Sequence, residues 1–330
     1  MRAWIIEKGK DGRNTLQLGE IPTPEPGPSE ILVRVVGVGI NRADLLQVKG
    51  MYPAPPGTDQ RIPGLEYSGI VEAVGSQVQL YRPGDRVMGL VPGAAYAEYV
   101  TVQEREAIPV PARLSLTEAA AVPEAFMTAY RAIFIEGELQ AGQSCLIQPV
   151  TSGVGLAAAQ LVHALGGTAI GSSRSAERLA QAQGVAVGIV DGQDDFVAQV
   201  REATGGQGVA VVLDMLGGGG RLSQTMRCVR DEGTIVLIGL MTGRDDRIDL
   251  GQFLQRRLTL KAMTMRSQGL EGRIAIARRF VDELLPLFER GALTPVLSGV
   301  HPFEQAPAAL DIMAANSHYG KLVLTLESAG

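Results

Sequence analysis

Cys145-Leu-Ile-Gln-Pro-Val-Thr-Ser-Gly-Val-Gly155, continuing as Leu156-Ala-Ala-Ala-Gln-Leu-Val-His-Ala-Leu-Gly166, reads as an apolar strand, a turn of small residues and an alanine-rich helix. A dinucleotide pyrophosphate needs that order. Small side chains at Ser152, Gly153 and Gly155, with Val154 between the glycines, let backbone N–H groups approach a diphosphate. The unsatisfied amides that open the helix add roughly half a positive charge at the same place. Against the common G-x-G-x-x-G spacing, Val150 stands at the first glycine and Ser152 at the second, so the fingerprint is a variant. On spacing alone, an ordinary glycine-rich packing turn stays open.

The next strand narrows the choice. Thr168-Ala-Ile-Gly171 runs into Ser172-Ser-Arg-Ser-Ala-Glu-Arg178, where an NAD-binding unit places an Asp or Glu on the ribose 2′-hydroxyl. Here the strand end is hydroxyl-rich and cationic. Ser173, Arg174 and Arg178 suit a 2′-phosphate through charge-assisted hydrogen bonds, so the expected coenzyme is NADPH. The plainer reading is that Ser175 caps the following helix and both arginines are solvated.

The chain has 330 residues, 45% hydrophobic and 20% charged, enough for two domains with separate cores. A net charge of −5 with no basic block gives no sign of nucleic acid or an anionic membrane as partner. The apolar run at Trp4-Ile-Ile6 is too short for a signal peptide and no later segment is an uninterrupted span, which makes a cytoplasmic address the expectation. The two cysteines, Cys145 and Cys228, fall in a predicted strand and a predicted helix and read as buried small hydrophobes. His163, His301 and His318 have no partners at ligand spacing.

Strand patterns at residues 3–6, 31–36, 69–75, 86–90 and 95–100, punctuated by Pro and Gly, predict an irregular β-barrel. The proline-rich stretches at 22–28 and 52–57 are loops. Ser115-Leu-Thr-Glu118 has capping-box spacing before a helix interrupted at Pro123. Beyond the fingerprint, apolar strands at 188–190, 208–214, 233–239 and 258–262 alternate with helical or glycine-rich segments, as in a parallel sheet covered on both faces. Helices at 272–290 and 304–315 precede a strand at 321–326 that returns to the first domain. The fold class is therefore α/β: a GroES-like β-barrel catalytic domain (1–123 and 268–330) plus a Rossmann doubly wound parallel-sheet domain (124–267). A cleft between the two is the expected substrate site.

Asn41-Arg-Ala-Asp44, Gly50-Met-Tyr-Pro-Ala-Pro-Pro-Gly57, Pro123-Glu-Ala-Phe-Met-Thr-Ala129, Ser152-Gly-Val-Gly155, Gly239-Leu-Met241 and Tyr319-Gly-Lys-Leu-Val-Leu324 occur in this order. With them the chain resembles, end to end, the zinc-independent quinone oxidoreductases of the medium-chain dehydrogenase/reductase superfamily, and looks closest to the p53-inducible type. The resemblance implies a homodimer paired through the Rossmann sheet edge. It implies Asn41 and Tyr52 facing nicotinamide and substrate, Thr128 beside the nicotinamide, and Ser152, Gly153, Val154 and Gly155 on the pyrophosphate. It further implies Gly239, Leu240 and Met241 lining the nicotinamide pocket, Ser173 and Arg178 on the 2′-phosphate, and Lys321 as another phosphate contact. One departure is Asp191, where relatives often carry a tyrosine. A carboxylate there repels a 2′-phosphate unless it faces solvent with Arg174 compensating.

Zinc-dependent relatives place a cysteine at Asn41, a histidine at Leu65 and a thiolate near Glu124, and two distant cysteines cannot form a four-thiolate lobe, so no metal is expected. Without a Lewis acid, the reduced oxygen must be tolerable to neutral donors. A quinone satisfies this, because its product anion is delocalised. The expected activity is hydride transfer from NADPH to a quinone, with the Asn41 amide and Tyr52 hydroxyl orienting the acceptor and Arg42 and Asp44 as structural partners. An enone or enoyl-thioester reductase, and a non-catalytic NADPH-binding protein, are the alternatives.

Overall fold

The computed structural model describes residues 1–9, 12–192 and 195–326. The last four residues of the domain expected at 268–330 lie outside the described residues. Contacts divide the chain into two units, 1–127 with 265–330, and 128–264, against the boundaries at 124 and 267 expected from sequence.

The first unit begins with β1 (Arg2–Lys8) and β2 (Asn14–Glu20), an antiparallel pair. Then follow β3 (Glu30–Ile40), β4 (Glu66–Val74), β5 (Arg86–Leu90), β6 (Tyr99–Gln103) and β7 (Ile108–Pro109). β3 is buried along nearly its whole length because it is central, pairing β4 on one side and, on the other, β6 along its first half and a late-arriving strand along its second. The capping box forms as its spacing predicts: the Glu118 N–H donates to Ser115 Oγ at 3.1 Å and the Ser115 N–H to Glu118 Oε2 at 2.8 Å. Pro123 then restarts the chain as a second helix, Pro123–Tyr130.

The second unit is a six-stranded sheet of β8 (Ser144–Gln148), β9 (Thr168–Ser173), β10 (Val185–Val190), β11 (Val209–Asp214), β12 (Val229–Leu237) and β13 (Thr259–Ala262). Every pairing is parallel, and the spatial order is β10-β9-β8-β11-β12-β13. This is the doubly wound order whose direction reverses between the first and fourth strands, and a ligand crevice opens at the carboxyl ends of those two strands. Leu146, Ile170, Phe196, Val212 and Ile235 belong to its core. Cys145 and Cys228 are free and buried.

The chain then returns to the first unit. The helix expected over 272–290 is divided into Leu270–Arg279, a stretch of broader i→i+5 winding, Phe280–Leu284, and Leu285–Glu289. β14 (Leu297–Pro302) and β15 (Lys321–Thr325) complete the seven-stranded sheet, β15 running antiparallel to the end of β3. The sequence reading missed β2, the two-residue β7 and β14, and placed β6 four residues too early. Every residue of β2 and β14 is exposed or half-buried, and Ser298, Gly299 and His301 dilute the few apolar positions, so the apolar signal of a strand is weak. No helix among the described residues is long and apolar enough to cross a membrane.

Candidate active site

The fingerprint turn lies at the crevice of the parallel sheet. Ser152 caps the helix Gly153–Ala164, its Oγ accepting the Gly155 N–H at 3.0 Å and donating to Pro149 O at 3.1 Å. Gly155 is obligatory in this turn: a Cβ there would lie 2.4 Å from Pro149 O and 2.6 Å from Val150 O. Val150, at the place of the usual first glycine, is fully buried against Gly171 of β9, where an added Cβ would sit 2.8 Å from the valine side chain. The small residue has moved one strand over. The first helical hydrogen bond is Leu156 N–H to Ser152 O, at 2.9 Å, so the Gly153 and Val154 amides precede the ladder and suit an anion. The residues present therefore fit a pyrophosphate.

Across the crevice, Ser152 Oγ reaches Met215 Sδ at 3.4 Å, and the Met241 N–H donates to Met215 O at 3.3 Å. Gly239, Leu240 and Met241 thus lie at the end of β11, with Leu240 and Met241 half exposed. Exposed large apolar side chains at the mouth of a sheet offer a surface for a flat ring. Thr128 is buried, and its Oγ1 has no hydrogen-bond partner among the described residues.

At the end of β9, Ser173 is buried and its Oγ accepts the Ser175 N–H at 3.2 Å, with Thr151 Oγ1 at 3.4 Å. Ser175 in turn caps the next helix by accepting the Arg178 N–H at 3.2 Å. Arg174 is exposed and Arg178 half-buried. Asp191 differs from expectation. It does not face solvent, and its compensating cation is Arg221, at 2.5 Å, not Arg174.

In the barrel unit, Asn41 follows β3 and caps the helix Arg42–Val48, its backbone N–H donating to Asp44 Oδ2 at 2.8 Å. Its side chain is committed elsewhere. Nδ2 donates to Glu66 Oε1 at 2.8 Å and to Gly39 O at 3.3 Å, while Oδ1 accepts from Lys321 Nζ at 2.6 Å. Glu66 only accepts and Lys321 only donates, so their chemistry fixes which way round the amide sits. Glu66 Oε1 also takes Lys321 at 2.5 Å, and Oε2 takes the Glu124 N–H at 2.8 Å. Gly39 makes room for this cluster, since a Cβ there would stand 2.1 Å from Glu66 Oε1.

Three sequence expectations change. Lys321 is buried and its three protons go to Ile40 O, Asn41 Oδ1 and Glu66 Oε1, leaving none for a phosphate. Both Asn41 amide protons are spent, so Asn41 cannot polarise an acceptor carbonyl; what remains is a lone pair on Oδ1. Arg42 and Asp44 do not pair with each other. Arg42 bonds Asn316 and the Met313 carbonyl, while Asp44 Oδ2 also accepts the Tyr96 hydroxyl at 3.1 Å. Burial pushes the Asp44 carboxyl up to about 6, against the downward pull of the Asn41 N–H and the Lys321 charge.

Tyr52 is half-buried, its ring under the Arg266 guanidinium at 5.2 Å. Arg266 is buried and donates to Pro92 O (2.8 Å), Tyr52 O (2.9 Å) and Gln47 Oε1 (2.5 Å). One planar fork thus fixes the backbone and the ring of the tyrosine together. Sequence reasoning missed Arg266 and Glu66; the signal available was a charge set directly after Met263-Thr-Met265 and after Gly64-Leu65. Among the described residues no group of three or more His, Cys, Asp or Glu side chains is placed to hold a metal ion.

Known proteins agree with this architecture. A family model described as alcohol dehydrogenase GroES-like domain matches residues 27–112, and one described as zinc-binding dehydrogenase matches residues 183–324. The chain has the fold of the medium-chain dehydrogenase/reductase superfamily, a GroES-like domain joined to a Rossmann-like parallel-sheet domain. Members of this superfamily are oxidoreductases that bind pyridine nucleotides. The mouse (Mus musculus) synaptic vesicle membrane protein VAT-1 homolog-like is 29% identical over 344 residues, covering 99% of this chain and 82% of the relative. A Pseudomonas syringae quinone oxidoreductase superposes with a TM-score of 0.86 at 26% identity, over 98% of this chain and 100% of that one. A mycobacterial protein complexed with NADPH gives 0.86 at 26%, over 98% and 99%. A structure described as an NAD-dependent alcohol dehydrogenase gives 0.87 at 27%, over 99% and 100%, so superfamily likeness does not itself select the coenzyme.

Proposed function

We propose that this chain is an NADPH-dependent, metal-independent reductase of conjugated carbonyl compounds, quinones first, and that within its superfamily it sits with the zinc-independent quinone oxidoreductases of the p53-inducible type. The observation that carries the reading is the donor set around Asn41. Where zinc-dependent members carry ligands, this chain has an amide already spent in hydrogen bonds, the apolar Leu65, and Glu124, whose backbone N–H is tied to Glu66. A thiolate–imidazole set for zinc is missing. An acceptor whose reduced anion spreads over a ring needs less stabilisation than one yielding a localised alkoxide.

Bound NADPH supplies the hydride. The Gly153 and Val154 amides, in the turn that Ser152 and Gly155 shape, would hold the pyrophosphate, Ser173, Arg174 and Arg178 the 2′-phosphate, and Leu240 and Met241 would give apolar surface to the ring. Asn41 Oδ1, its orientation held by Lys321 and Glu66, would accept a hydrogen bond from the coenzyme. Tyr52, clamped by Arg266, donates its hydroxyl to the acceptor oxygen, and solvent completes protonation. We also propose a cytoplasmic homodimer joined along β13, which pairs only β12 among the described strands and exposes Leu260.

The test is NADPH oxidation with an ortho-quinone, a para-quinone and a short enoyl-CoA after dialysis against a chelator. Turnover of quinones that survives chelation is expected. Turnover of the thioester alone makes the chain an enoyl reductase, and NADPH binding without any turnover makes it a binding protein. Loss of activity on chelation, restored by zinc, removes the metal-independent reading.

A further inference from the structure

We propose that Arg221 sets the coenzyme preference of the nucleotide unit by neutralising Asp191, an inference that rests on the NADPH reading above. In a doubly wound sheet the adenosine ribose sits at the carboxyl end of the second strand, here β9 ending at Ser173. Asp191 lies directly alongside: Val190 pairs with Ser173 across the β9–β10 ladder, and the Asp191 N–H donates to Ser173 O at 2.8 Å. An uncompensated carboxylate at that spot suits a ribose hydroxyl and repels a 2′-phosphate.

The carboxylate is compensated. Arg221 Nη2 meets Asp191 Oδ1 at 2.5 Å, and the two side chains are only 18% and 16% exposed. The guanidinium also stands over the ring of Phe196, its Cζ 5.7 Å from the centroid, and that ring is buried in the core. Two independent contacts therefore hold the arginine where it cancels the charge of Asp191. The glycine run Gly217–Gly220 delivers Arg221 as the first residue of the helix Arg221–Cys228, which gives that otherwise plain run a purpose. The ribose-binding acid typical of NAD enzymes has a counterpart one strand away, and this chain masks it.

Dissociation constants for NADPH and NADH, measured by calorimetry on the wild type, R221Q, D191N and R221Q/D191N, test the proposal. R221Q is expected to weaken NADPH about tenfold, as one unscreened like charge near the phosphate requires, and NADH less than about twofold. D191N is expected to tighten NADPH severalfold. The double variant is expected to recover most of what R221Q loses, because it is neutral again. Equal weakening of both coenzymes by R221Q, a double variant no better than R221Q, or weaker NADPH binding by D191N overturns the proposal; should R221Q not fold, D191N alone decides. A wild type that binds NADH more tightly than NADPH sinks the coenzyme reading itself. A wild type that prefers NADPH but is indifferent to R221Q sinks this inference alone.

Discussion

Lys321 and Glu66 form a buried ion pair whose remaining valences are filled by Asn41, Ile40 and Glu124. Removing one partner leaves the other charge without compensation in a medium that solvates it poorly. K321M should cost about 3–5 kcal/mol in urea unfolding, and K321M/E66Q should recover part of that; a loss below about 1 kcal/mol for the single variant would mean the pair does not hold the site together. Asp44 gives a pH signature of defined sign. Its carboxyl titrates at about 6 in the folded chain against about 3.9 unfolded, so the folded state binds the proton more tightly. That stabilisation is complete below about pH 4 and is lost as pH rises through about 6, a swing of about 3 kcal/mol. D44N is blind to it, so the stability difference should move toward the variant by about that amount between pH 4 and pH 8, and a flat difference would refute the titration. At Arg266, R266K keeps the charge but not the fork that grips Tyr52. It should lower quinone kcat by about 10- to 100-fold while the NADPH dissociation constant holds, and a parallel loss of coenzyme binding would count against a role confined to Tyr52.

Among the elements, the strand–turn–helix at the fingerprint is fixed by side chains its own sequence supplies. S152A removes the hydroxyl that takes the Gly155 N–H and should cost about 1 kcal/mol of stability together with weaker NADPH binding, read by thermal melts with and without coenzyme. This is why the turn and the parallel sheet were legible: apolar runs, small-residue turns and caps act over a few residues. Asn41 could be picked out from its motif, but what its amide does could not, because its partners are 25 and 280 residues away in the chain. Sequence spacing carries no information about which protons of an amide are already spent. The same holds for Asp191, whose neutralising arginine lies 30 residues downstream behind a glycine run. β2 and β14 were missed for a different reason: they bury little surface, β2 offering only Leu16 and Leu18 among polar neighbours and β14 separating Leu297 from Val300 by Ser298 and Gly299.

For the whole molecule, the nucleotide unit is one continuous stretch, 128–264, whereas the barrel unit is interrupted by it. Continuous stretches close their contacts over shorter loops and fold sooner. During synthesis Glu66 emerges 255 residues before Lys321, a wait on the order of 10–50 s at typical translation rates. Until β15 arrives, the Glu66 carboxylate has no ammonium beside it and the inner end of β3 lacks one of its ladder neighbours. Nascent chains stalled before β14 should therefore show a protease-resistant core within 128–264 and cleavage around residue 66. The lysine thus acts as a clasp fastened last, so a ribosome-bound chain can hold its nucleotide fold while the surroundings of Asn41 stay unfinished.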